Sequence, residues 1–244
     1  MKLTKEQFKQ KTVEIAENSG IQLNDNKLEK LYLYKEMLVE WNEKINLTAI
    51  TDDEEIIAKH IVDSLEIVKH IKQGQSIIDV GTGAGLPGVI IAIYFEGNVN
   101  ITLFDALNKR ILFLQQVIEK LELTNVQAVH GRAEETSKDI KFRESYDVAV
   151  SRAVARLNIL LELTVPFVKV GGNCIYMKAD KTKEELDEAK RAIKELDLSL
   201  TSVKEYSIKM DDQELKHTII TLSKLKETKD KYPRKFAKIK KSPL

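Results

Sequence analysis

The segment that decides the fold of this chain reads, from residue 76 to residue 88, Ser76-Ile77-Ile78-Asp79-Val80-Gly81-Thr82-Gly83-Ala84-Gly85-Leu86-Pro87-Gly88. A short β-branched run ends at a carboxylate, four glycines follow, and an apolar run occupies residues 89–93. This order predicts a strand, a glycine loop and a helix. Because glycine has no Cβ, such a loop turns tightly and lets its backbone contact a ligand. The segment therefore indicates a cofactor site, without saying which cofactor.

Two classes of cofactor fit this loop. Residues 83–88 match the G-x-G-x-x-G pattern of dinucleotide sites, and Asp105 lies twenty residues beyond Gly85. The same segment is also similar to the acid-x-G-x-G-x-G pattern of S-adenosylmethionine-dependent methyltransferases, through Asp79, Gly81, Gly83 and Gly85. An acid at the strand end repels a pyrophosphate but suits a cofactor that carries a sulfonium and an amino group. The charges favour S-adenosylmethionine, with a nicotinamide oxidoreductase as the alternative.

Composition limits the class of protein. The chain has 244 residues, 43% of them hydrophobic, which suffices for one large core. It has no run of eighteen apolar residues and no apolar signal segment at its start, so we expect a cytoplasmic protein without a membrane partner. Cys174 is the single cysteine, and the four histidines lack metal-ligand spacing, so we expect no metal. No pattern marks a dimer interface, and a monomer is expected.

The positive charge is concentrated at the C-terminus. Residues 224–244 contain nine Lys or Arg against two acids, whereas the rest of the chain is mildly acidic. Such a basic tail indicates an anionic partner, RNA foremost. We divide the chain into an N-terminal helical extension (1–74) packed on the core, a core (75–223) and a basic tail (224–244). The tail also leaves open a third hypothesis, a non-catalytic RNA-binding protein.

The first 74 residues read as helices. Thr4 and Gln7 form a capping box, and Thr51 and Glu54 form a second one before a third helix. Between helices two and three, the polar residues beside Trp41 are of types that contact bases or phosphates, and they are Asn42, Lys44 and Asn46. On the third helix, His60 and Asp63 are three positions apart and are predicted to pair.

Strands and helices then alternate. Strands are predicted at 100–104, 126–130, 147–150 and 173–177. A loop is expected at 131–135 after the second of these, and helices after the others, the last of them a single charged helix at 182–196. The segments 199–208 and 216–222 alternate like strands, and the linker 209–213 is too short for a crossover helix. The fold class is therefore α/β, a doubly wound Rossmann-like sheet that is mostly parallel, with an antiparallel C-terminal hairpin and an N-terminal helical cap.

Polar residues at the strand ends are the candidate site, because ligands bind at the carboxyl ends of such sheets. Asp105 is placed to bind a ribose diol, and Ala133 and Glu134 to flank an adenine. The fourth strand ends at Ser151-Arg152-Ala153-Val154, without the (Asn/Asp/Ser)-Pro-Pro motif of exocyclic-amine methyltransferases, and Cys174 has the position of a packing residue. A ring nitrogen such as guanine N7 needs neither device, and Arg152 or Lys178 can read a guanine edge or hold a phosphate.

Five motifs together resemble one family. They are Lys59-His60-Ile61-Val62-Asp63-Ser64-Leu65, the glycine loop 79–88, Asn108-Lys109-Arg110, Ser151-Arg152-Ala153-Val154-Ala155 and Tyr232-Pro233-Arg234-Lys235. They resemble the bacterial guanine-N7 methyltransferases of 16S ribosomal RNA, formerly called glucose-inhibited division protein B. The resemblance spans nearly the whole chain. The chain departs from the family pattern in two places. Ala179 stands where family members usually have Gly, and Ala237 and Ile239 stand where they have a Gly and a Pro in the tail. Both departures bear on the conformation of the tail.

The resemblance implies transfer of methyl from S-adenosylmethionine to N7 of one guanine in 16S ribosomal RNA or the small subunit. It places cofactor contacts on Gly81, Leu86, Ala133, Glu134 and Arg152. Arg152 has two possible partners, the cofactor carboxylate or the RNA, and the sequence does not choose between them. We expect it to be the catalytic positioning residue, without a general base. The expected RNA-binding residues are Asn42, Lys44, Asn46, Lys178, Arg234 and Lys235.

Overall fold

A computed structural model of the chain describes residues 2–179, 181–210 and 213–244. Within them, seven strands form one sheet in the order β3-β2-β1-β4-β5-β7-β6. The strands are β1 Ser76–Val80, β2 Asn100–Asp105, β3 Val126–His130, β4 Tyr146–Arg152, β5 Val168–Lys178, β6 Leu198–Met210 and β7 Gln213–Lys224. Strands β1 to β5 are parallel, whereas β7 is antiparallel to both β5 and β6. The predicted sheet and its hairpin are confirmed; Asp211 and Asp212 of the predicted linker lie outside the described residues.

Helices lie on both faces of the sheet. They are α1 Lys5–Asn18, α2 Asp25–Ile45, α3 Asp53–Ile56, α4 Asp63–Leu65, α5 Gly88–Phe95, α6 Asn108–Lys120, α7 Ala133–Thr136, α8 Leu157–Thr164, α9 Thr182–Glu188, α10 Lys190–Glu195 and α11 Phe236–Lys241. A π-helical segment, Ile57–Val62, joins α3 to α4, and 3₁₀ turns cover Glu66–His70 and Val165–Phe167. None of the described helices is long and apolar enough to cross a membrane.

Strand alternation divides the core into two clusters, as a doubly wound sheet requires. Ile77 and Val148 face a cluster that contains α1, α2, α5 and α6, whereas their neighbours Ile78 and Ala149 face a second cluster with α8 and α10. The N-terminal helices thus cover one face of the sheet. Their packing includes Trp41 against Phe113, with ring centroids 5.6 Å apart.

Three local predictions need correction. The Thr4 capping box is present, but the third helix is capped by Asp52, whose Oδ1 accepts from the Glu54 and Glu55 amides, and not by Thr51. The segment 131–135, predicted to be a loop, contains the helical turn α7. The single helix predicted from 182 to 196 is divided into α9 and α10.

The C-terminal residues pack on the second face. Tyr232 and Leu244 are buried in the second core cluster, and the Lys224 side chain is fully buried at the end of β7. Lys224 Nζ donates to Glu144 Oε1 and to the Val168 carbonyl, the latter at 2.7 Å. The basic tail is therefore attached along part of its length.

Candidate active site

The glycine loop begins directly after β1 and leads into α5. Gly81, Gly83 and Gly85 have φ values of +74°, +60° and +93°, in the left-handed region. Gly88 permits a close approach, because a Cβ there would lie 2.3 Å from Leu103 Cδ2. The Tyr34 hydroxyl of α2 donates to the Ala84 carbonyl at 2.9 Å, so the helical extension holds the loop from outside.

Asp79 lies beneath this loop and is fully buried. Its Oδ2 accepts hydrogen bonds from the Thr82 hydroxyl at 2.6 Å and the Gly88 amide at 2.8 Å. Its Oδ1 has no hydrogen-bond partner among the described residues. Burial raises the pKa of this carboxyl to about 6, against the effect of the two hydrogen bonds. The site therefore contains a carboxylate oxygen for which the fold supplies no donor.

Asp105, at the end of β2, links the glycine loop to the next connection. Its Oδ2 accepts from the Gly83 amide at 3.0 Å and Arg110 Nη1 at 3.1 Å, and its Oδ1 accepts from the Leu107 amide at 2.9 Å. Asp105 pairs in register with His130, the last residue of β3, and Ala133 and Glu134 follow at the start of α7. The structure thus places the candidate cofactor residues of β1, β2 and β3 at one edge of the sheet.

Arg152, at the end of β4, is held by a partly buried polar network around the buried Asp63. Its Nη1 donates to the Lys59 carbonyl at 2.9 Å and to Asp63 Oδ2 at 2.8 Å. Asp63 Oδ1 accepts from the Tyr206 hydroxyl at 2.6 Å and is 2.7 Å from His217 Nδ1. We name these four side chains, Asp63, Arg152, Tyr206 and His217, the Asp63 network. It joins α4 and β4 to both strands of the C-terminal hairpin.

The predicted pairing of His60 with Asp63 is wrong. His60 Nε2 is bonded to the Thr48 hydroxyl at 2.8 Å, and its Nδ1 lies 3.5 Å from Arg152 Nη2. Burial and the neighbouring Arg152 charge lower the pKa of His60 to about 4, so the ring is neutral at pH 7. Burial opposes ionisation of Asp63, but hydrogen bonds from His217 and Tyr206 and the Arg152 charge together hold its pKa below the usual value. Asp63 is therefore an anion held by several donors.

A cavity of about 600 Å³ opens beside this network. It is lined by residues from the segment before α3, the π-helical segment, the ends of β4 and β5, and β7; they include Ile50, Lys59, Arg152, Val154, Met177, Lys178 and Leu215. Val154 also contacts the glycine loop, because a Cβ on Gly81 would lie 2.5 Å from its Cγ2. The cavity and the glycine loop are therefore adjacent, which suits a substrate next to a cofactor.

Sequence reasoning missed Tyr206 and His217 as site residues. It placed both in strands, and nothing local distinguishes them from other polar residues of an alternating strand. They reach Asp63 across 143 and 154 positions of sequence, so only the tertiary structure brings them into the site.

Asn42, Lys44 and Asn46, predicted to lie between helices two and three, instead occupy the last turn and the C-cap of α2. Asn42 Oδ1 accepts from the Thr48 amide at 2.8 Å, and Asn46 ends the helix with φ +49°. Lys44 is exposed and pairs with Glu40 at 3.0 Å. Because Thr48 bonds His60, this turn lies next to the cavity. Contact of these residues with RNA stays a prediction.

The three remaining RNA candidates differ in exposure. Lys178 Nζ is committed to Glu185 and the Ala155 carbonyl, each at 2.7 Å, with its side chain 8% exposed. Arg234 forms a forked pair with the buried Glu162, at 2.8 Å from Nε and 2.6 Å from Nη2. Lys235 is exposed. Lys178 and Arg234 therefore have structural partners, whatever else they bind.

The chain is similar to known proteins over nearly its whole length. The family described as rRNA small subunit methyltransferase G matches residues 27–216. Relatives named ribosomal RNA small subunit methyltransferase G include one from Clostridium beijerinckii, 47% identical over 231 residues, covering 94% of this chain and 95% of the relative. One from Acetivibrio thermocellus is 46% identical over 233 residues, covering 95% of each chain.

Solved structures share the fold at low sequence identity. A precorrin-6y C5,15-methyltransferase from Geobacter metallireducens is 15% identical with a TM-score of 0.51, over 67% of this chain and 87% of that one. TYW2 from P. horikoshii, in complex with MeSAdo, is 18% identical with a TM-score of 0.54, over 69% and 63%. These likenesses show the Rossmann-like methyltransferase fold.

Proposed function

Because this chain belongs to the rRNA small subunit methyltransferase G family, we propose that it transfers a methyl group from S-adenosylmethionine to N7 of one guanine in 16S ribosomal RNA. The observation that carries the proposal is the position of the glycine loop, with Asp79 beneath it, directly beside the cavity that contains Arg152. A cofactor on the loop and a base in the cavity would then be neighbours, as methyl transfer requires.

The residues at the sheet edge fit S-adenosylmethionine. Oδ1 of Asp79 is a buried acceptor without a donor among the described residues, and it suits the positive charge of this cofactor. Oδ1 of Asp105 receives one hydrogen bond, which leaves acceptor capacity for a ribose hydroxyl. Gly81, Gly83, Gly85 and Leu86 would contact the cofactor along the loop, and Ala133 and Glu134 would flank its adenine. A pyrophosphate lacks any positive group for Asp79, which disfavours the nicotinamide alternative.

When bound, the cofactor supplies an electrophilic methyl group next to a sulfonium. In such a transfer, guanine N7 would form the new bond to the methyl carbon, the electron pair of the broken carbon–sulfur bond would stay on sulfur, and no proton would need to move. This chain therefore needs to position the base and exclude water rather than supply a general base. Cys174 supports the choice of N7 over a carbon, because it is fully buried and burial raises its pKa to about 11, which prevents it from acting as a nucleophile.

The proposal extends to the setting of the reaction. The protein acts as a cytoplasmic monomer on ribosomal RNA or the small ribosomal subunit, without a metal ion. Among the described residues, no group of three or more His, Cys, Asp or Glu side chains is placed to hold one. The exposed lysines of the tail, together with Lys44 in the last turn of α2, would contact RNA phosphates.

Methyl transfer to small subunits that lack the modification tests the proposal. Labelled S-adenosylmethionine is supplied, and the RNA is then reduced and treated with aniline, which cleaves at 7-methylguanosine. We expect label and cleavage at one guanine of 16S RNA, and no reaction with NAD as the only cofactor. Label without cleavage would exclude N7 as the target, and cofactor binding without label would favour the non-catalytic hypothesis.

A further inference from the structure

Every described Lys and Arg that lines the cavity beside the Asp63 network is paired with an acid. Three basic side chains line it, and each pairs with its own carboxylate: Lys59 with Glu55, Arg152 with Asp63 at 2.8 Å, and Lys178 with Glu185 at 2.7 Å. His60 adds no charge at pH 7, because its pKa is lowered to about 4. Within the described lining, no Lys or Arg is therefore left without a compensating acid.

This balance favours an uncharged occupant. A phosphate group binds where cationic side chains are not already neutralised, whereas an RNA base before methylation is neutral. Apolar side chains of Ile50, Val154 and Leu215 form part of the wall and suit the faces of an aromatic ring. The volume, about 600 Å³, lies within the range of pockets for small ligands.

Nη2 of Arg152 has one hydrogen left for a ligand besides its contact with His60. Nη1 is used by the Lys59 carbonyl and by Asp63, whereas Nη2 has the His60 ring as its neighbour, at 3.5 Å. From this position Nη2 can donate to guanine O6 while N7 stays free to react. Methyl transfer leaves the base as a cation, and the carboxylate of Asp63 offsets the Arg152 charge that would otherwise repel it.

Asp63 is fixed by the C-terminal hairpin. Its second oxygen receives the Tyr206 hydroxyl at 2.6 Å and His217 Nδ1 at 2.7 Å, and Asp63 itself is 2% exposed. Both partners approach the same oxygen, so removal of either leaves Asp63 less constrained. The guanidinium of Arg152 would then move with it.

We propose that this cavity receives the target guanine as an uncharged base, and that Tyr206 and His217 are positioning residues that hold Asp63, and through it Arg152, against that base. This inference rests on the proposed function and adds the place of the substrate base and the residues that orient its recognition. Flipping a base out of the RNA into such a cavity gives N7 access to the cofactor.

Three variants test the positioning role: Tyr206→Phe, His217→Ala and His217→Asn. The first two each remove one contact to Asp63, and His217→Asn keeps a donor near the Nδ1 position. We expect Tyr206→Phe and His217→Ala to lower kcat on small subunits between about 10- and 100-fold, because a misplaced base reacts slowly. KM for RNA and the dissociation constant of S-adenosylmethionine should stay within about twofold, and His217→Asn should recover most of kcat.

Tyr146→Phe is the matched control. It removes a buried tyrosine hydroxyl that donates to Thr102 Oγ1 at 3.1 Å. Tyr146 begins β4 and so lies at the opposite end of that strand from Arg152, and the variant should leave kcat unchanged. Wild-type kcat in Tyr206→Phe and His217→Ala would overturn the inference, as would loss of cofactor binding in both. If one of these two variants fails to fold, kcat of the other, compared with wild type, decides whether the positioning role holds. Failure of the proposed function is distinguishable, because the wild-type protein would then give no N7 product.

Salt dependence tests whether the occupant is a base or a phosphate. RNA binding is measured for wild type and Arg152→Gln between low and physiological salt, with 16S RNA as the probe. A base contact predicts weaker binding with the same slope of log affinity against log salt. A slope smaller by about 0.7 or more would show that Arg152 neutralises a phosphate, and would overturn the assignment of the cavity to a neutral base.

Discussion

Gly81 shows how a single residue fixes the site. Its φ is +74°, close to the +69° of Gly20 at the end of the first helix. The two positions differ in their surroundings, because a Cβ on Gly81 would lie 2.5 Å from Val154 Cγ2, whereas a Cβ on Gly20 would meet nothing within 4 Å. Gly81 therefore requires glycine both for its backbone conformation and for the contact between the loop and the cavity wall.

Substitution of these two glycines by alanine separates the two requirements. Gly20→Ala should lower the free energy of unfolding by about 1 kcal/mol, the cost of the left-handed conformation alone. Gly81→Ala should cost about 1–3 kcal/mol more, because Val154 must move. Urea unfolding of the two variants without cofactor measures the difference. Equal costs would show that the contact with Val154 is not tight.

At the residue scale, the site was predictable where its chemistry is local. Asp79, the glycines and Asp105 could be found because a strand, a loop and a helix follow each other within thirty residues. Tyr206 and His217 could not be found, because their partner Asp63 lies on a helix far away in sequence and no local pattern encodes the meeting.

Among the elements, the π-helical segment Ile57–Val62 was not predictable either. The apolar periodicity of this region indicates an ordinary helix. In the structure, the Lys59 carbonyl within the segment accepts from Arg152 of β4, 93 positions away, and His60 bonds Thr48. π-Helical segments often occur at functional sites, where they allow such long-range contacts. These contacts leave no trace in the local sequence. The strands, whose alternation is local, were found within three residues of their ends, except β5, which begins at Val168, five residues before its predicted start.

The end of β7 contains the next prediction, which concerns how the tail is attached. Lys224 is fully buried and donates to Glu144 and to two main-chain carbonyls. Lys224→Met should destabilise the protein by about 2–3 kcal/mol, because it leaves Glu144 and both carbonyls without their donor. Lys190→Met is the control, since Lys190 pairs with Asp187 on an exposed helix face, and should change stability by no more than about 0.5 kcal/mol. Thermal or urea unfolding compares them; similar costs would contradict a structural role for Lys224.

On the scale of the whole molecule, the two ends of the chain cover opposite faces of the sheet. The helix α1 contributes to the first core cluster, whereas Tyr232 and Leu244 of the tail contribute to the second. Four lysines on or beside α11 are exposed and make no ion pair within the described part of the chain: Lys235, Lys238, Lys240 and Lys241. Their charge is available to RNA, unlike that of Arg234.

A pair of double variants tests this surface. Lys238→Gln with Lys241→Gln should weaken binding of 16S RNA and reduce the slope of log affinity against log salt by about 1.5, with cofactor affinity unchanged. The control, Lys5→Gln with Lys9→Gln, removes the same charge from α1, where both lysines pair with Glu29, and should leave the slope unchanged. Equal slopes for wild type and the α11 variant would show that the tail does not bind phosphates.

The contacts between Asp63 and the hairpin also affect when the protein becomes active during its synthesis. Translation must add 143 residues after Asp63 before Tyr206 exists, and 154 before His217 does. A nascent chain whose hairpin has not yet been made already has the glycine loop. It still lacks the two hairpin contacts that fix Asp63, and through it Arg152. If the hairpin positions Arg152 as proposed, a growing chain without it would modify RNA slowly at best, and full activity arrives only with the last strands. An enzyme whose substrate is part of the ribosome, which also makes the enzyme, is thereby kept from full activity until its own synthesis is nearly complete.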